Sequence, residues 1–259
     1  CKIMKITYSA KEINKIISKL NHKDGGFVCI EDAIDKKLLN QIKLEIKKYI
    51  NKNGNPNYLS ISNPLKRDFK SFKNLQEKIN LIKFTEKLAK KYLNYFLNRE
   101  EVNKVLKRDK VYSVLRFVSG TQTAMAFHYD KTVITVLVPI SIPKIDIDRS
   151  GHLIAFPNSR NIRKNSFFNF IDKIILQNNI TRKLMSLKKF SSESIKIMQE
   201  GNIYIMCGYK TIHGNYPVDK SQERMTLLLH YGNPHSSSKI LKTITFFTTL
   251  IKKLKGTKI

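Results

Sequence analysis

The chain has no tryptophan and only three cysteines, Cys1, Cys29 and Cys207, among 259 residues. Their number is odd, their spacing wide, and no Cys-x-x-Cys pair occurs. This argues against a disulfide framework or a zinc ribbon and favours a reducing, cytoplasmic setting. No uncharged run approaches the roughly 20 residues that a membrane-spanning helix requires. No apolar segment of the secretory-leader kind follows the first lysines. Internal repeats and long low-complexity linkers are also lacking. The scarcest feature is negative charge: 20 acids stand against 48 Lys and Arg, a formal +28. Such a surplus attracts anions, whether nucleic acid, an acidic membrane surface, or a phosphorylated or carboxylated substrate.

What is present suffices for a sizeable core. Hydrophobic residues make up 41%, including 14 Phe and 11 Tyr, which suits a single domain over residues 1–235. Residues 10–20 set Ile13, Ile16, Ile17 and Leu20 on one helical face. A short strand is expected at Phe27 to Ile30. A helix striped by Leu38, Leu39, Ile42, Ile46, Tyr49 and Ile50 follows, then a loop at "NKNGNPN" (51–57). Residues 76–97 read as one further helix through Ile79, Ile82, Leu88, Tyr92, Leu93 and Phe96. Residues 1–109 are therefore expected to form a helical N-terminal flank.

From residue 110 the texture changes. "VYSVLRFV", "TVITVLVPI", "HLIAFP", "IKIMQ", "NIYIM" and "RMTLLLHY" read as short strands separated by Gly, Pro, Asn or Ser. Strands at this spacing, without strictly alternating helices, predict an antiparallel sandwich or barrel. The expected fold is mainly β: a double-stranded β-helix (jelly-roll, cupin-like) core over 110–232 behind the N-terminal helices. A basic insert at 158–190, with a helical patch "FFNFIDKIIL", interrupts it, and a basic amphipathic tail (236–259) follows.

Two His-x-Asp tripeptides occur, and context separates them. His22 and Asp24 sit in the polar turn "NHKDGG". His128 and Asp130 open the apolar run "FHYDKTVITVLVPI", where a two-residue repeat sets both on one face of an extended segment. Later, "GYKTIHGNYPVDKSQERMTLLLHYG" brings His213 beside Gly214, then Arg224 with Thr226, Leu228 and His230 on its face. Two imidazoles and one carboxylate form the facial set suited to non-haem Fe(II) with open positions. An Arg fork nearby suits a carboxylate. His152 reads as a hydrogen-bonded core or rim residue. His230 faces the same way as Arg224 and either reaches the same site or, more simply, packs; Cys207 reads as a small buried apolar residue.

At His128, Asp130, His213, Arg224 and Thr226 the sequence resembles the Fe(II)/2-oxoglutarate-dependent oxygenases. "GHLIAFPNSR" (151–160) is similar to that family's strand ending in a Pro turn, and "GNIYIMCGYKTIHGNYPV" to the strand that delivers the second His. "GGFVCIEDAIDKKLLNQI" is similar to the entry segment of the phytanoyl-CoA hydroxylase-like branch. The resemblance covers about residues 25–50 and 110–232. It implies that His128, Asp130 and His213 hold iron and serve catalysis. Arg224 and Thr226 would bind the distal carboxylate of 2-oxoglutarate. With O2, 2-oxoglutarate would be decarboxylated to succinate and CO2 as a substrate C–H bond is oxidised. Tyr112 and Arg116 share a strand face and either line the same pocket or, for Arg116, lie on a solvated sheet face.

For the substrate, the insert offers Arg160, Arg163, Lys164, Lys173, Arg182, Lys183, Lys188 and Lys189 against Asp172 alone. A basic rim suits an anionic metabolite, a glycan or a lipid-linked molecule. Oxidation or demethylation of a nucleic-acid base is the alternative within the same superfamily, and Phe167, Phe168 and Phe170 would then stack bases. At their spacing with Ile171, Ile174 and Ile175, these rings read more simply as core. A non-catalytic jelly-roll binding module is the reading outside enzymology. The tail, with Ile240, Ile244, Phe247, Ile251 and Leu254 on one helical face and six Lys, is expected to form an edge strand or a core-packing helix, or else to touch the inner face of a membrane peripherally.

Overall fold

The computed structural model describes residues 8–22, 25–53, 58–120, 124–163 and 167–236. In chain order the elements are α1 (Ala10–Asn21), β1 (Phe27–Ile30), α2 (Lys36–Asn53), β2 (Tyr58–Ser62), α3 (Lys70–Lys78), α4 (Leu81–Leu93) and α5 (Arg99–Arg108). Then come β3 (Tyr112–Val118), β4 (Ile134–Ser141), β5 (Leu153–Phe156), α6 (Phe167–Gln177), α7 (Asn179–Leu187), β6 (Ile195–Lys196), β7 (Ile203–Met206), β8 (Ile212–Asn215) and β9 (Arg224–Tyr231).

Side-chain chemistry at the helix ends sets their limits. Ser9 and Glu12 form a reciprocal capping box at the start of α1, and Asn98 with Glu101 does the same for α5. The helix expected over 76–97 is divided. α3 ends at Lys78, and Asn80 opens α4 by accepting the Lys83 amide. An apolar stripe alone does not reveal such a break, because both helices bury the same kind of residue; the Asn cap does. α2 runs on to Asn53, and the rest of the expected loop lies outside the described residues.

The strands form two antiparallel sheets, one ordered β1-β7-β4-β9-β3-β2 and a smaller one ordered β6-β5-β8. The N-terminal flank is more than helical. Its β1 and β2 form the two edges of the large sheet, so residues before 110 complete the β core. Pro139 lies within the central strand β4, where it cannot donate, and the pairing with β9 shifts register between Pro139 and Ser141.

Two-residue alternation decides what each face of the large sheet touches. Ile134, Val136, Val138 and Ile140 of β4 share one core cluster with Met225, Leu227, Leu229 and Tyr231 of β9 and with Leu81, Leu88 and Leu93 of α4. That face carries the helices. Each fully buried Ile or Leu there contributes about 1.5–3 kcal/mol through removal from water. The opposite face presents Thr135 and Leu137 of β4, Tyr204 and Met206 of β7, and Arg224, Thr226, Leu228 and His230 of β9. It meets Leu153 and Ala155 of the small sheet. The candidate site lies in the space between the two sheets.

Candidate metal centre

His128 does not lie inside a regular strand. It forms an isolated antiparallel bridge with His213, each amide donating to the other's carbonyl at 3.0 Å. β4 begins only at Ile134, and Asp130 is held instead by its amide donating to Gly208 O at 3.0 Å. The geometry expected of one continuous strand is thus supplied by backbone bonds to the 208–213 segment. A Cβ on Gly208 would collide with the Asp130 carboxylate and the Thr135 hydroxyl, so only glycine permits this approach. Gly214 similarly leaves room for the Phe127 ring.

One ligand atom from each of His128, Asp130 and His213 lies within 4.8 Å of the others. His128 Nε2 is 3.7 Å from Asp130 Oδ1, and His213 Nε2 is 3.7 Å from Asp130 Oδ2. The Nδ1 atoms face the other way, 2.9 Å from Ala126 O and 3.0 Å from Thr211 O. A carbonyl can only accept, so each ring carries its proton on Nδ1 and turns the lone pair of Nε2 inward. Burial pushes His213 down to about 4, and it is neutral at neutral pH. Burial alone would raise Asp130, but the neighbouring His213, His230 and His128 and the Thr135 hydroxyl outweigh it and keep the carboxyl ionised. Two imidazoles that turn Nε2 inward and one carboxylate form a donor set that fits a divalent transition metal such as Fe(II).

Two residues beyond the expected triad bear on it. Thr135 Oγ1 donates to Asp130 Oδ2 at 2.5 Å and lies 3.2 Å from His230 Nδ1. The hydroxyl has one proton, so the His230 contact is one in which the ring donates. Of the two readings of His230, the structure bears out the one that reaches the site: it lines the cavity, 3.6 Å from Asp130. Thr135 was legible as the polar side chain interrupting "ITVLVPI" on the face of β4 that carries Leu137. His152 does lie in the core, its Nδ1 accepting the Met198 amide at 3.1 Å.

Arg224 is buried on the same face of β9. Its Nη1 donates to Gly151 O at 2.6 Å, and its Nε has no partner. Burial and the neighbouring Arg116 lower it to about 10, so it remains a cation at neutral pH. Arg116 lines the cavity too, again with a buried unpaired Nε; the solvated-face reading is excluded. Thr226, opposite Arg116 in the β3–β9 register, also faces the cavity. Tyr112 does not. It stands outside the cavity lining, bonded to Ser62 Oγ at 3.2 Å and stacked beside the His230 ring at 6.4 Å. Leu137, Ile142, Leu153, Met198, Met206 and Leu228 supply the apolar walls.

His22 lies at the end of α1, apart from this cluster, and Asp24 is outside the described residues. The insert is less of an open basic rim than its composition implied. The Arg160 side chain is largely covered, stacked over Tyr129 at 3.7 Å and Tyr209 at 4.3 Å, and it bonds Asp172 at 2.5 Å. Arg163 shares Asp172 at 2.8 Å. Because Tyr129 sits between His128 and Asp130, Arg160 braces the ligand loop from behind.

No sequence-family model matches the chain, and a search of curated proteins returns no relative. Solved structures do match. The non-heme alpha-ketoglutarate-dependent carbocyclase SnoK from nogalamycin biosynthesis aligns at TM-score 0.55 and 11% identity, over 88% of this chain and 85% of that one. AviO1 from Streptomyces viridochromogenes aligns at 0.52 and 14%, over 88% and 97%. A prolyl hydroxylase from Trichoplax adhaerens, in complex with a hypoxia inducible factor peptide fragment, aligns at 0.51 and 10%, over 91% and 97%. The likeness is one of fold and does not single out the phytanoyl-CoA hydroxylase-like branch. The chain has the fold of the Fe(II)/2-oxoglutarate-dependent oxygenase superfamily, which its His-x-Asp, distant His and Arg resemble.

Proposed function

We propose that the protein is an Fe(II)- and 2-oxoglutarate-dependent dioxygenase acting on a substrate with an anionic group. One observation carries this reading: an inward-facing His128–Asp130–His213 set shares a cavity with Arg224, a buried guanidinium whose Nε is unpaired. A buried cation with no carboxylate partner is costly unless a ligand supplies one. The resident groups divide the work. His128, Asp130 and His213 would hold the metal, and Arg224, with Thr226 beside it, would orient the distal carboxylate of 2-oxoglutarate. Together the bound iron and co-substrate supply the oxidising power for a substrate C–H bond. Leu137, Met198, Met206 and Leu228 exclude water from that position.

Charge supports the substrate class. A divalent ion and a dianionic co-substrate cancel formally, which leaves Arg116 and Arg224 facing Asp130, the one acid of the cavity lining. Arg116 is then the group that meets the substrate's anion, be it on a metabolite, a glycan or a lipid-linked molecule. The structural neighbours bear names for different reactions, so the choice of reaction rests on this cavity. The test is succinate release by purified protein given Fe(II), 2-oxoglutarate and pools of anionic metabolites, glycans, lipid extract and oligonucleotides. Stimulation by an anionic pool is expected. Stimulation by oligonucleotides alone points to nucleic-acid bases, and failure to bind both iron and 2-oxoglutarate points to a binding module.

A further inference from the structure

We infer that the helical hairpin of α6 and α7 docks the protein onto a lipid surface that carries anionic headgroups. On α7, Ile180, Leu184 and Leu187 are 74, 63 and 76% exposed, at spacings that set them along one helix face. On α6, Ile174 and Ile175 are exposed as well. The expectation that the isoleucines of this patch belong to the core is corrected at these two positions. Single exposed leucines are ordinary, but a row of them along a hairpin marks a binding surface. The hairpin is firmly seated on its other side. Met185 packs with Phe190 on the Met125–Phe127–Ile154 cluster, Arg182 Nη2 donates to Ala124 O at 3.1 Å, and Asn178 caps α7. The uncovered row is therefore the outer face of an anchored element.

The surrounding charge selects the occupant. Lys183, Lys188 and Lys189 are exposed beside the apolar row. The one acid of the insert, Asp172, is already bonded by Arg160 and Arg163. A second copy of a chain with formal charge +28 would bring like charge against these lysines. So would residues 237–259, which hold six Lys and no acid and lie outside the described residues. An anionic bilayer surface offers the opposite charge and an apolar phase at adjacent depths, lysines at the headgroups and Ile and Leu beneath. No described helix is long and apolar enough to cross a membrane, so the contact is interfacial. Asp172 of α6 meets Arg160, which stacks on Tyr129 of the ligand loop. Docking thus holds the candidate metal centre near the surface. The inference needs neither iron nor 2-oxoglutarate, so it can fail separately from the proposed function.

The lack of native tryptophan makes a clean test possible. Leu184→Trp in the metal-free full chain carries the one indole. Phosphatidylglycerol-containing vesicles are expected to shift its emission to the blue, and brominated acyl chains to quench it. Leu44→Trp, on an exposed position of α2, is expected to do neither. In cosedimentation, the charge-neutral triple variant Ile180→Ser/Leu184→Ser/Leu187→Ser should bind these vesicles about tenfold more weakly or worse, since affinity follows buried apolar area. Three outcomes overturn the inference. The wild type fails to bind the vesicles; the triple variant binds as well as wild type, which leaves net charge as the cause; or Leu184→Trp is already blue-shifted without lipid, which means another protein surface covers the row.

Discussion

His128 and His213 face each other across a single antiparallel bridge, exchanging both backbone hydrogen bonds at 3.0 Å with ring centroids 4.4 Å apart. The same backbone contact brings together the two imidazoles and fixes their mutual orientation, and the Nδ1 bonds to Ala126 O and Thr211 O then set both tautomers. Preorganisation at the centre is therefore a property of main-chain geometry more than of the side chains themselves.

The bridge distinguishes the two His-x-Asp tripeptides experimentally. His213→Ala should abolish stoichiometric Fe(II) binding and any succinate formation, whereas His22→Ala should leave both near wild type. Metal analysis after desalting, beside a turnover assay, decides it. Equal iron loading in wild type and His213→Ala would sink the assignment.

Arg224→Ala removes the buried cation from the proposed co-substrate pocket while sparing His128, Asp130 and His213. Loss of a bidentate charge pair costs about 2–5 kcal/mol, so 2-oxoglutarate affinity should fall roughly 30-fold or more. Iron loading should hold. Calorimetric titration of 2-oxoglutarate into the iron-loaded variant measures the change. Unaltered affinity would move the anchor to Arg116.

Thr135→Val keeps shape and deletes the hydroxyl that donates to Asp130 Oδ2. Loss of a partner that orients a metal-binding carboxylate typically weakens the metal by about 10- to 100-fold. Thr135→Ser should restore most of the affinity, which separates hydrogen bonding from packing. Gly208→Ala should damage iron binding too, because its methyl meets the Asp130 carboxylate.

Acid should destabilise the metal-free protein across a defined window. His213 is lowered by burial from an ordinary value of 6.5 to about 4. A depressed folded-state value means that the unfolded chain takes up the proton first. The stabilising contribution is present above about 6.5, declines as pH falls through the interval, and is gone below about 4. His152, His230 and His235 are shifted in the same direction, each chiefly by burial, and add to the effect. Melting temperature followed from pH 7 to pH 4 should fall, and His213→Gln should fall less steeply. A slope unchanged by that substitution would remove His213 from the account.

The sequence by itself determined the elements whose signal is local. The capped, striped helix α1 is legible in Ser9, Glu12, Ile13, Ile16, Ile17 and Leu20. β3, β7 and β9 are legible as short apolar runs between turn residues. The two-residue spacing paired His128 with Asp130, and the resemblance to the Fe(II)/2-oxoglutarate-dependent oxygenases added His213 and Arg224 to them. What only the tertiary structure decided was which face of each run meets which neighbour. Strands buried on both sides read as unbroken apolar segments, so hydropathy does not say that Thr135, Arg116 and His230 turn toward Asp130 and Arg224 while Val136, Phe117 and Leu229 turn toward the helices. β1 reads as a short strand within a helical flank, and β2 gives no strand signal of its own. Their role as sheet edges depends on partners far along the chain, Ile203 to Met206 for one and Val114 to Val118 for the other. The same reason explains α6 and α7: their apolar residues have core spacing, and only the fold leaves Ile174, Ile180, Leu184 and Leu187 with no core to enter.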